Sequence, residues 1–458
     1  MSRVSRVCIA IAIVLSVWTQ TPANAQAIGG VYIDPQGVLR QTASLSQNER
    51  LELLRKEAVG AISSLDVGRP SDLRCVSLKR LQQTAAELSR TGKLWPAEVR
   101  YMAGLQSVNH VFFFPDEGDV VLSGRAEAWT QLPSGEVVGR TGGRPVLHLD
   151  DLIVGLRYAL SRKTAPFIGC SIEPTAKGMQ NYVTYMNNVG AIDRRRVQQI
   201  FTGMAQAMGM QAIRLYGIDS GSRFALTMVA ADYRLKRISL GHDPSPVKKF
   251  VNYLDLAARG SVQAAQKQHR WWFVAEFDEV LHSADELAWE LKGQGIKVVT
   301  ARNLPGTPAA QAEKPTKSAR QVADTFTRYF PDMAERVPVF AELQNAIGLA
   351  VVAELIAERR RRRADGAWQP DFFLDRDRCR ITQYVVPAEV PSISDYRYSR
   401  GRGWITSVSG GVEISPARVV GREFRTQSDD RVMQQSRSRV QLPADDETWW
   451  WDSVGNQQ

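Results

Sequence analysis

The stretch that decides the fold is Arg223–Gly241, which reads RFALTMVAADYRLKRISLG. Its first part, Phe224–Ala230, is an almost unbroken apolar run, which predicts a strand buried on both faces. From Ala231 onward the apolar residues recur at helical spacing, and Gly241 suits the left-handed position that ends a helix. We therefore predict a strand that runs into a helix at the centre of the protein.

Working outward from this stretch, hairpins are interspersed with helices, without a regular βαβ alternation. The flanking elements are predicted as follows: helices beginning at Ser46, at Ser77, at Asp150 or Asp151 and at Asp193; hairpins over residues 108–122 and 211–230; strands at 167–172, 270–277 and 296–300; and a helix carrying Leu281, Leu287, Ala288 and Leu291. This order predicts an α+β fold, with a mainly antiparallel sheet and packed helices. A smaller lobe combines a helical hairpin with short strands.

Composition suggests where the chain divides. Residues 305–320 contain a Pro-, Ala- and Lys-rich segment typical of a linker. We predict a signal peptide at 1–25, an α+β core at 26–304, the linker at 305–320, a helical hairpin with short strands at 321–423, and a disordered basic tail at 424–458. Within the hairpin, residues 340–356 are apolar nearly all round, so this helix should be buried.

The N-terminus has the features of an export signal. Arg3 and Arg6 precede a short apolar run, Val7–Trp18, and Ala23-Asn24-Ala25 forms a cleavage signal. We expect a periplasmic or extracellular protein after cleavage near Ala25, with no transmembrane segment in the mature chain. Cleavage lowers the formal net charge of +10 by two. The remaining charge permits attraction to anionic polymers, and no nucleic-acid motif is present.

Three cysteines follow the leader, which is an odd number and cannot form a closed disulfide framework. Cys75 and Cys170 could pair, or all three, including Cys379, could be buried free thiols. No C-x-x-C spacing is present, so neither a redox motif nor a zinc knuckle is indicated.

Several short pieces together carry a family resemblance. They are DVVLSG at 119–124, GRPVLHLDDL at 143–152, CSIEPT at 170–175, ADYRLK at 231–236, RWWF at 270–273, PVFAEL at 338–343 and GGVEI at 410–414. The set resembles an uncharacterised family of exported proteins abundant in planctomycete bacteria, known only as a domain of unknown function. The resemblance covers the chain from about Gly29 to Ile414. It implies export and a shared fold, and it brings no catalytic residues or ligands.

Catalytic candidates each have a simpler structural interpretation. His148 with Asp150 and Asp151 could be an acid–base pair or half of a metal site, but an N-cap aspartate beside a loop histidine explains the same pattern. His242-Asp243 fits a turn, and Ser171 with Glu173 lacks the nucleophile elbow. Phosphate-binding glycine loops and paired-histidine motifs are absent from the sequence. We therefore assign no catalytic residue, metal or cofactor.

Two groups of residues are candidates for binding. The densest run of positive charge is Arg359, Arg360, Arg361, Arg362 and Arg363, which fits an anionic partner or a solvated last helical turn. Trp449, Trp450 and Trp451 lie among acidic residues and suggest a docking peptide that orders on binding. Trp271 and Trp272 could line a sugar-binding groove, although at least one should be in the core.

These patterns favour an exported, non-enzymatic protein that acts in interaction or assembly within the cell envelope. Its partner would be an envelope protein or an anionic polymer. The alternative is a periplasmic hydrolase with an unfamiliar site near His148, Asp150, Asp151 and Glu173. A lesser possibility is recognition of an envelope polysaccharide by aromatic side chains.

Overall fold

The computed structural model describes residues 67–453, together with the backbone of three short strands between residues 27 and 41. The gaps in the main range are 133–134, 162–165, 190–194, 260–268, 303–313, 364–365, 393–396, 400–402, 406–409, 422, 424 and 446. The predicted leader, the helix predicted at Ser46, the N-cap Asp193 and most of the predicted linker lie outside the described residues.

The described residues form twenty strands and thirteen α-helices. The strands are β1 Ala27–Ile28, β2 Val31–Ile33, β3 Leu39–Gln41, β4 Ser71–Ser77, β5 His110–Phe114, β6 Asp119–Ala126, β7 Trp129–Gln131, β8 Val137–Gly139, β9 Ile168–Pro174, β10 Met210–Tyr216, β11 His269–Ala275, β12 Glu279–His282, β13 Ala288–Lys292, β14 Ile296–Arg302, β15 Glu389–Pro391, β16 Arg397–Ser399, β17 Gly403–Ile405, β18 Gly410–Ile414, β19 Arg425–Gln427 and β20 Trp450–Asp452. The helices are α1 Leu78–Arg90, α2 Ala97–Arg100, α3 Leu149–Leu160, α4 Ala176–Val189, α5 Val197–Met208, α6 Arg223–Leu240, α7 Tyr253–Arg259, α8 Lys317–Arg328, α9 Phe330–Arg336, α10 Pro338–Arg362, α11 Asp371–Leu374, α12 Pro416–Val419 and α13 Asp430–Arg439.

Two larger sheets organise these elements. One has the strand order β14-β11-β18-β9-β10-β15, and the other has the order β19-β12-β13-β5-β6-β4-β20. Every neighbouring pair is antiparallel except β11–β18 and β12–β19. The predicted α+β class with a mainly antiparallel sheet is confirmed.

The stretch Arg223–Gly241 is one continuous helix, so the strand predicted at Phe224–Ala230 is wrong. The helix α6 begins at Ser222, whose hydroxyl accepts a hydrogen bond from the Ala225 N–H, and ends at Gly241 with φ +81°. It packs on β18, β11 and β9 on one side and on α10 on another. A helix covered on all sides is apolar all round, and over seven residues its sequence cannot be distinguished from that of a buried strand.

The long helix α10 is buried in the apolar core, as its sequence predicted. It packs against α3, α6, α9 and α12. Among the described residues it is the one helix long and apolar enough to cross a membrane, and 89% of its most apolar window is buried inside the protein. A buried core helix meets the same criteria as a membrane span, so its hydropathy follows from its position in the core.

Other predictions for individual elements have mixed outcomes. The helix at Ser77, the hairpin over 108–122, the strand beginning near Phe167, β11 and the two helices of the predicted helical hairpin, α8 and α10, are confirmed, but a third helix, α9, lies between α8 and α10. The helix predicted through Leu281 and Leu291 is wrong, because these residues lie in the paired strands β12 and β13. Asp285 accepts a hydrogen bond from the Leu287 N–H and closes the turn between them.

The C-terminal segment includes ordered elements where the sequence predicted disorder. Residues 430–439 form α13, and β20 pairs with β4 at the edge of the second sheet. Arg74 bonds Asp452 and Arg80 bonds three carbonyl groups of this segment, and such long-range contacts are not visible in local composition. The other domain boundaries remain predictions, although residues from both sides of 305–320 share one apolar core.

Candidate functional site

An arginine-lined recess lies beside the C-terminal end of α10. It encloses about 310 Å³, counting its opening to solvent. We define the recess by its lining residues, which are Phe113, Glu286, Trp289, Leu355, Glu358, Arg359, Arg362, Arg363 and Arg425. Four arginines and two glutamates leave this lining with an excess of positive charge.

Two of the four arginines are tied to the two glutamates. Arg362 lies 2.5 Å from Glu358 and 3.1 Å from Glu286. Arg425 lies 3.3 Å from Glu286 and 3.6 Å from Glu358, and its guanidinium is 5.5 Å from the centre of the Trp289 ring. These four charges form a network that fixes one side of the recess.

The other two arginines, Arg359 and Arg363, have no carboxylate within ion-pairing distance in the part of the chain that the structure describes. The Arg359 guanidinium lies 4.9 Å from the centre of the Phe113 ring. Burial lowers the pKa of Arg359, and the nearby charge of Arg363 lowers it further. An arginine remains charged even so, and the half-buried Arg359 and the exposed Arg363 therefore repel each other.

The five predicted arginines thus have different environments. Arg359, Arg362 and Arg363 line the recess, and Arg359 and Arg360 also line a smaller adjoining recess. Arg360 donates to Gln369 at 2.5 Å, and Arg361 pairs with Glu354 at 2.5 Å. The binding role of these residues remains a prediction.

Sequence analysis missed Glu286, Trp289 and Arg425 as lining residues. The sequence predicts a helix where Glu286 and Trp289 lie in the β12–β13 hairpin, and it predicts disorder where Arg425 begins β19. No local motif marks any of them, because each reaches the recess only through the pairing of β12 with β13 and β19.

The three predicted tryptophans lie elsewhere, on the edge of the second sheet. Trp449 is buried, and β20, which contains Trp450 and Trp451, pairs with β4. The Arg74 guanidinium lies 4.7 Å from the centre of the Trp450 ring. This segment therefore packs against its own chain, and its role in docking a partner remains a prediction.

A second group of ionisable residues is buried between helices α3, α6 and α10. Arg223 lies 2.5 Å from Asp151 and 2.7 Å from Glu342, and both acids are almost fully buried, at 1% and 2% exposure. Asp151 Oδ1 and Glu342 Oε2 have no hydrogen-bond partner among the described residues. One guanidinium therefore forms ion pairs with two carboxylates that water does not reach.

The alternative catalytic residues only partly come together around this group. His148 is at the N-cap of α3, so the prediction that Asp150 or Asp151 caps this helix is wrong. Asp150 accepts a hydrogen bond from the Thr382 N–H at 3.2 Å, and burial lowers the pKa of His148 well below its ordinary value. Glu173 is separate: it is partly exposed on β9, with Arg214 at 3.7 Å.

Other candidates have structural roles. Asp243 is paired with Arg234 and Arg237, which close the turn after α6. Trp271 is buried in the core and Trp272 faces the other way, as the strand period predicted. Cys75, Cys170 and Cys379 are buried free thiols, and no group of His, Cys, Asp and Glu suited to a metal occurs among the described residues.

We expect the buried carboxylates to make stability fall as pH rises. Burial raises the pKa of Asp151 from 3.8 to about 6 and that of Glu342 from 4.5 to about 7. A carboxyl group with a raised folded-state pKa stabilises the protein fully below its unfolded pKa, and this contribution is lost as pH rises through the folded value. The melting temperature of wild type should therefore fall between pH 4 and pH 7.5 relative to that of an Asp151→Asn/Glu342→Gln variant. The depressed pKa of His148 acts in the opposite direction, but it is common to both proteins.

The matched control for this titration is Asp72→Asn, because the Asp72 side chain is 93% exposed. Its pH profile should run parallel to that of wild type. Parallel profiles for the wild type and the buried double variant would contradict the assignment.

Comparison with known proteins adds one finding. Residues 170–253 match a family model described as "Protein of unknown function (DUF1598)". The matched region runs from within β9 through α4, α5, β10 and α6 to the first residue of α7. No curated protein and no solved structure matches the chain. The chain thus contains a domain of unknown function, in agreement with that part of the sequence resemblance; planctomycete origin and export remain predictions.

Proposed function

We propose that this chain is an exported, non-enzymatic protein of the cell envelope that binds an anionic polymer at the arginine-lined recess. The observation that carries the proposal is that Arg359 and Arg363 lie side by side in the recess, with no carboxylate within ion-pairing distance of either among the residues that the structure describes. The N-terminal sequence with its basic start, apolar run and cleavage signal supports the export part of the proposal.

The physical reason is that an anion would relieve an unfavourable charge arrangement. Repulsion between Arg359 and Arg363 weakens when a phosphate or carboxylate group lies between them, and charge-assisted hydrogen bonds contribute about 1.5–3 kcal/mol each. Stacking of Arg359 on Phe113 orders its guanidinium before binding, which reduces the entropy lost on association. Glu286 and Glu358 neutralise Arg362 and Arg425, so the anion should contact mainly Arg359 and Arg363.

We expect an Arg359→Gln/Arg363→Gln variant to bind a short-chain polyphosphate about 10- to 100-fold more weakly than wild type. Isothermal titration calorimetry at low ionic strength measures this difference, and added salt should weaken wild-type binding more steeply than variant binding. Polyphosphate serves as the probe because it presents repeated anionic groups.

The matched control is Arg125→Gln/Arg378→Gln, which removes the same charge from side chains that are 74% and 69% exposed. If this control weakened binding as much as the recess variant, binding would reflect net charge only, and the recess proposal would be wrong. Failure of wild type to bind would contradict the proposal equally.

A hydrolase is the second candidate, because His148 lies near Arg223, and Asp150 lies near Arg223 and Tyr384. Burial raises the pKa of Tyr384. The positive charge of Arg223 lowers this pKa, and the negative charge of Asp150 raises it. Asp151 and Glu342 are almost fully buried, so neither can contact a substrate in this conformation. Turnover of a model ester or glycoside that disappears in a His148→Ala variant would support this candidate and contradict the non-enzymatic proposal.

A further inference from the structure

Helix α6 presents a polar stripe to the first sheet. Asp232, Lys236 and Ser239 are each almost fully buried, and their spacing places them on one face of the helix. The helix packs against β9, β11 and β18 of this sheet. On β10, which neighbours β9, Gln211 Oε1 accepts a hydrogen bond from Lys236 Nζ at 2.9 Å. An amine and a primary amide are thus in direct contact inside the core.

Water does not reach this contact. Lys236 is 3% exposed and Gln211 is fully buried. The Gln211 Nε2 group donates only to the sulfur of Met208, a weak acceptor, at 3.8 Å. No carboxylate lies within ion-pairing distance of Lys236 among the residues that the structure describes. A buried ammonium group without an ion pair is costly, so this environment favours the neutral amine, which is a nucleophile.

Asp232 lies one turn before Lys236 on α6 and can accept its proton. Asp232 is fully buried, and neither of its oxygens has a well-formed hydrogen bond with a described residue. Burial raises the pKa of Asp232 from 3.8 to about 7, and burial lowers the pKa of Lys236 from 10.5 to about 8. The charge of Arg270 and the nearby Gly411 N–H limit the rise in the pKa of Asp232. Because the two pKa values are close, proton transfer from Lys236 to Asp232 has a small free-energy cost.

We propose that Lys236 and Gln211 form an intramolecular isopeptide bond, which links α6 covalently to β10. After Lys236 gives a proton to Asp232, its neutral Nζ attacks Cδ of Gln211, and a new C–N bond forms. The bond between Cδ and Nε2 then breaks, and this nitrogen leaves as ammonia with one hydrogen that comes from the amine. One amine and one primary amide thus become one secondary amide and one ammonia, and no oxidant or cofactor takes part.

The fold contributes to this reaction mainly by position. Contact between two groups of one chain replaces a bimolecular encounter, and such proximity is equivalent to an effective concentration of up to about 10⁵–10⁸ M. Exclusion of water protects the Gln211 amide from hydrolysis, which is the competing reaction. The bond closes a loop between residues 25 positions apart and so restricts the unfolded chain. The three described cysteines are unpaired, so no disulfide provides this restraint among the described residues.

Peptide mapping of the full chain tests the proposal directly. The purified protein is kept at about pH 8, where a larger fraction of Lys236 is neutral, and is then unfolded and digested with trypsin. We expect mass spectrometry to find a branched peptide in which residues 197–214 are joined to residues 235–237. Its mass should be the sum of the two linear peptides minus one ammonia, and its fraction should increase with time.

Lys297 is an internal control in the same digest. It lies 2.7 Å from Glu276, but its side chain is 38% exposed and its amine stays solvated, so it should give linear peptides only. The Lys236→Met variant should give no branched peptide. Asp232→Asn has a similar shape but accepts no proton, and it should slow the linking about 100-fold.

Complete recovery of residues 197–214 as a linear peptide, with ordinary cleavage after Lys236, would overturn the proposal. Loss of ammonia confined to a peptide that begins at Gln26 would overturn it as well, because an N-terminal glutamine loses ammonia by cyclisation. Linking at the wild-type rate in Asp232→Asn would overturn the proton transfer to Asp232.

Discussion

Replacing Arg223 by methionine should lower the free energy of unfolding by about 3–5 kcal/mol. The Arg223 side chain is only 5% exposed, and it is the ion-pair partner of both Asp151 and Glu342. Without the guanidinium these two carboxylates are buried next to each other with no compensating charge. The loss is a large fraction of the 5–15 kcal/mol that ordinarily stabilises a folded domain. Urea unfolding followed by circular dichroism measures it.

The pH dependence of this variant distinguishes charge burial from simple loss of packing. Protonation of Asp151 and Glu342 removes the uncompensated charge. Arg223 lowers the pKa of both carboxyl groups, which are about 6 and about 7 in its presence, so Arg223→Met should already regain part of its stability as pH falls from 8 to about 6. A packing defect would persist at every pH. Recovery of stability in the triple variant Arg223→Met/Asp151→Leu/Glu342→Met would show the same cause independently, because an apolar replacement of a whole buried ion group is often close to neutral.

The control is Arg125→Met, which removes an arginine paired with Asp72 at 3.4 Å on the surface. Exposed ion pairs contribute little, so its effect should stay within about 0.5 kcal/mol. An Arg223→Met protein as stable as this control would show that the buried ion group does not contribute as inferred.

Replacing Arg74 by methionine should release the C-terminal strand and cost about 3–5 kcal/mol. Arg74 is fully buried and bonds both oxygens of Asp452, at 2.8 and 3.1 Å. It also donates to the carbonyls of Val67, Arg69 and Ala103, at 3.0, 2.9 and 2.7 Å. Methionine satisfies none of these acceptors and leaves Trp450 without the cation above its ring.

Limited proteolysis with mass spectrometry should detect the released strand. Cleavage between residues 440 and 453 should be faster in Arg74→Met than in wild type, because proteases cut segments that have detached from the fold. Arg80 supplies a second attachment, donating to the Pro443, Asp445 and Thr448 carbonyls at 3.1, 2.7 and 3.1 Å. The Arg74→Met/Arg80→Met protein should therefore be cut fastest.

The control for this experiment is Arg378→Met. Arg378 is also near an aspartate, Asp375 at 4.0 Å, and above an aromatic ring, that of Phe372 at 5.9 Å, but its side chain is 69% exposed. It should change neither stability nor cleavage appreciably. Identical cleavage of Arg74→Met and wild type would rule out Arg74 as the anchor of β20.

The elements that sequence predicted well carry their signal within a few residues. Ser77 caps α1 by accepting a hydrogen bond from the Arg80 N–H, and Pro115–Gly118 lies between two apolar strands. The alternation of Trp271, Trp272 and Phe273 places the first and third in the core. In each case, atoms that are close in the chain make the deciding contact.

Only part of the candidate site could be predicted from the sequence, because its residues come from segments that are far apart in the chain. The arginine run at the end of α10 is conspicuous, yet which members line a recess depends on Glu286, Trp289 and Arg425. Trp289 and Arg425 belong to strands β13 and β19, and Glu286 lies in the turn between β12 and β13, so strand pairing brings these distant segments together. The buried ion group is similar, since Arg223 is 72 residues from Asp151 and 119 residues from Glu342.

The sequence by itself determined the α+β class, the helix start at Ser77, the helix end at Gly241, the turn at 115–118 and the positions of the charge and apolar runs, because caps, turns and periodicity are local. Only the tertiary structure decided that residues 224–230 are helical, that the C-terminal strand pairs at the edge of a sheet, and that Arg223 forms ion pairs with two acids. A short apolar run is compatible with either a strand or a helix. Here the run is a helix because α10 and the sheet bury it on every side.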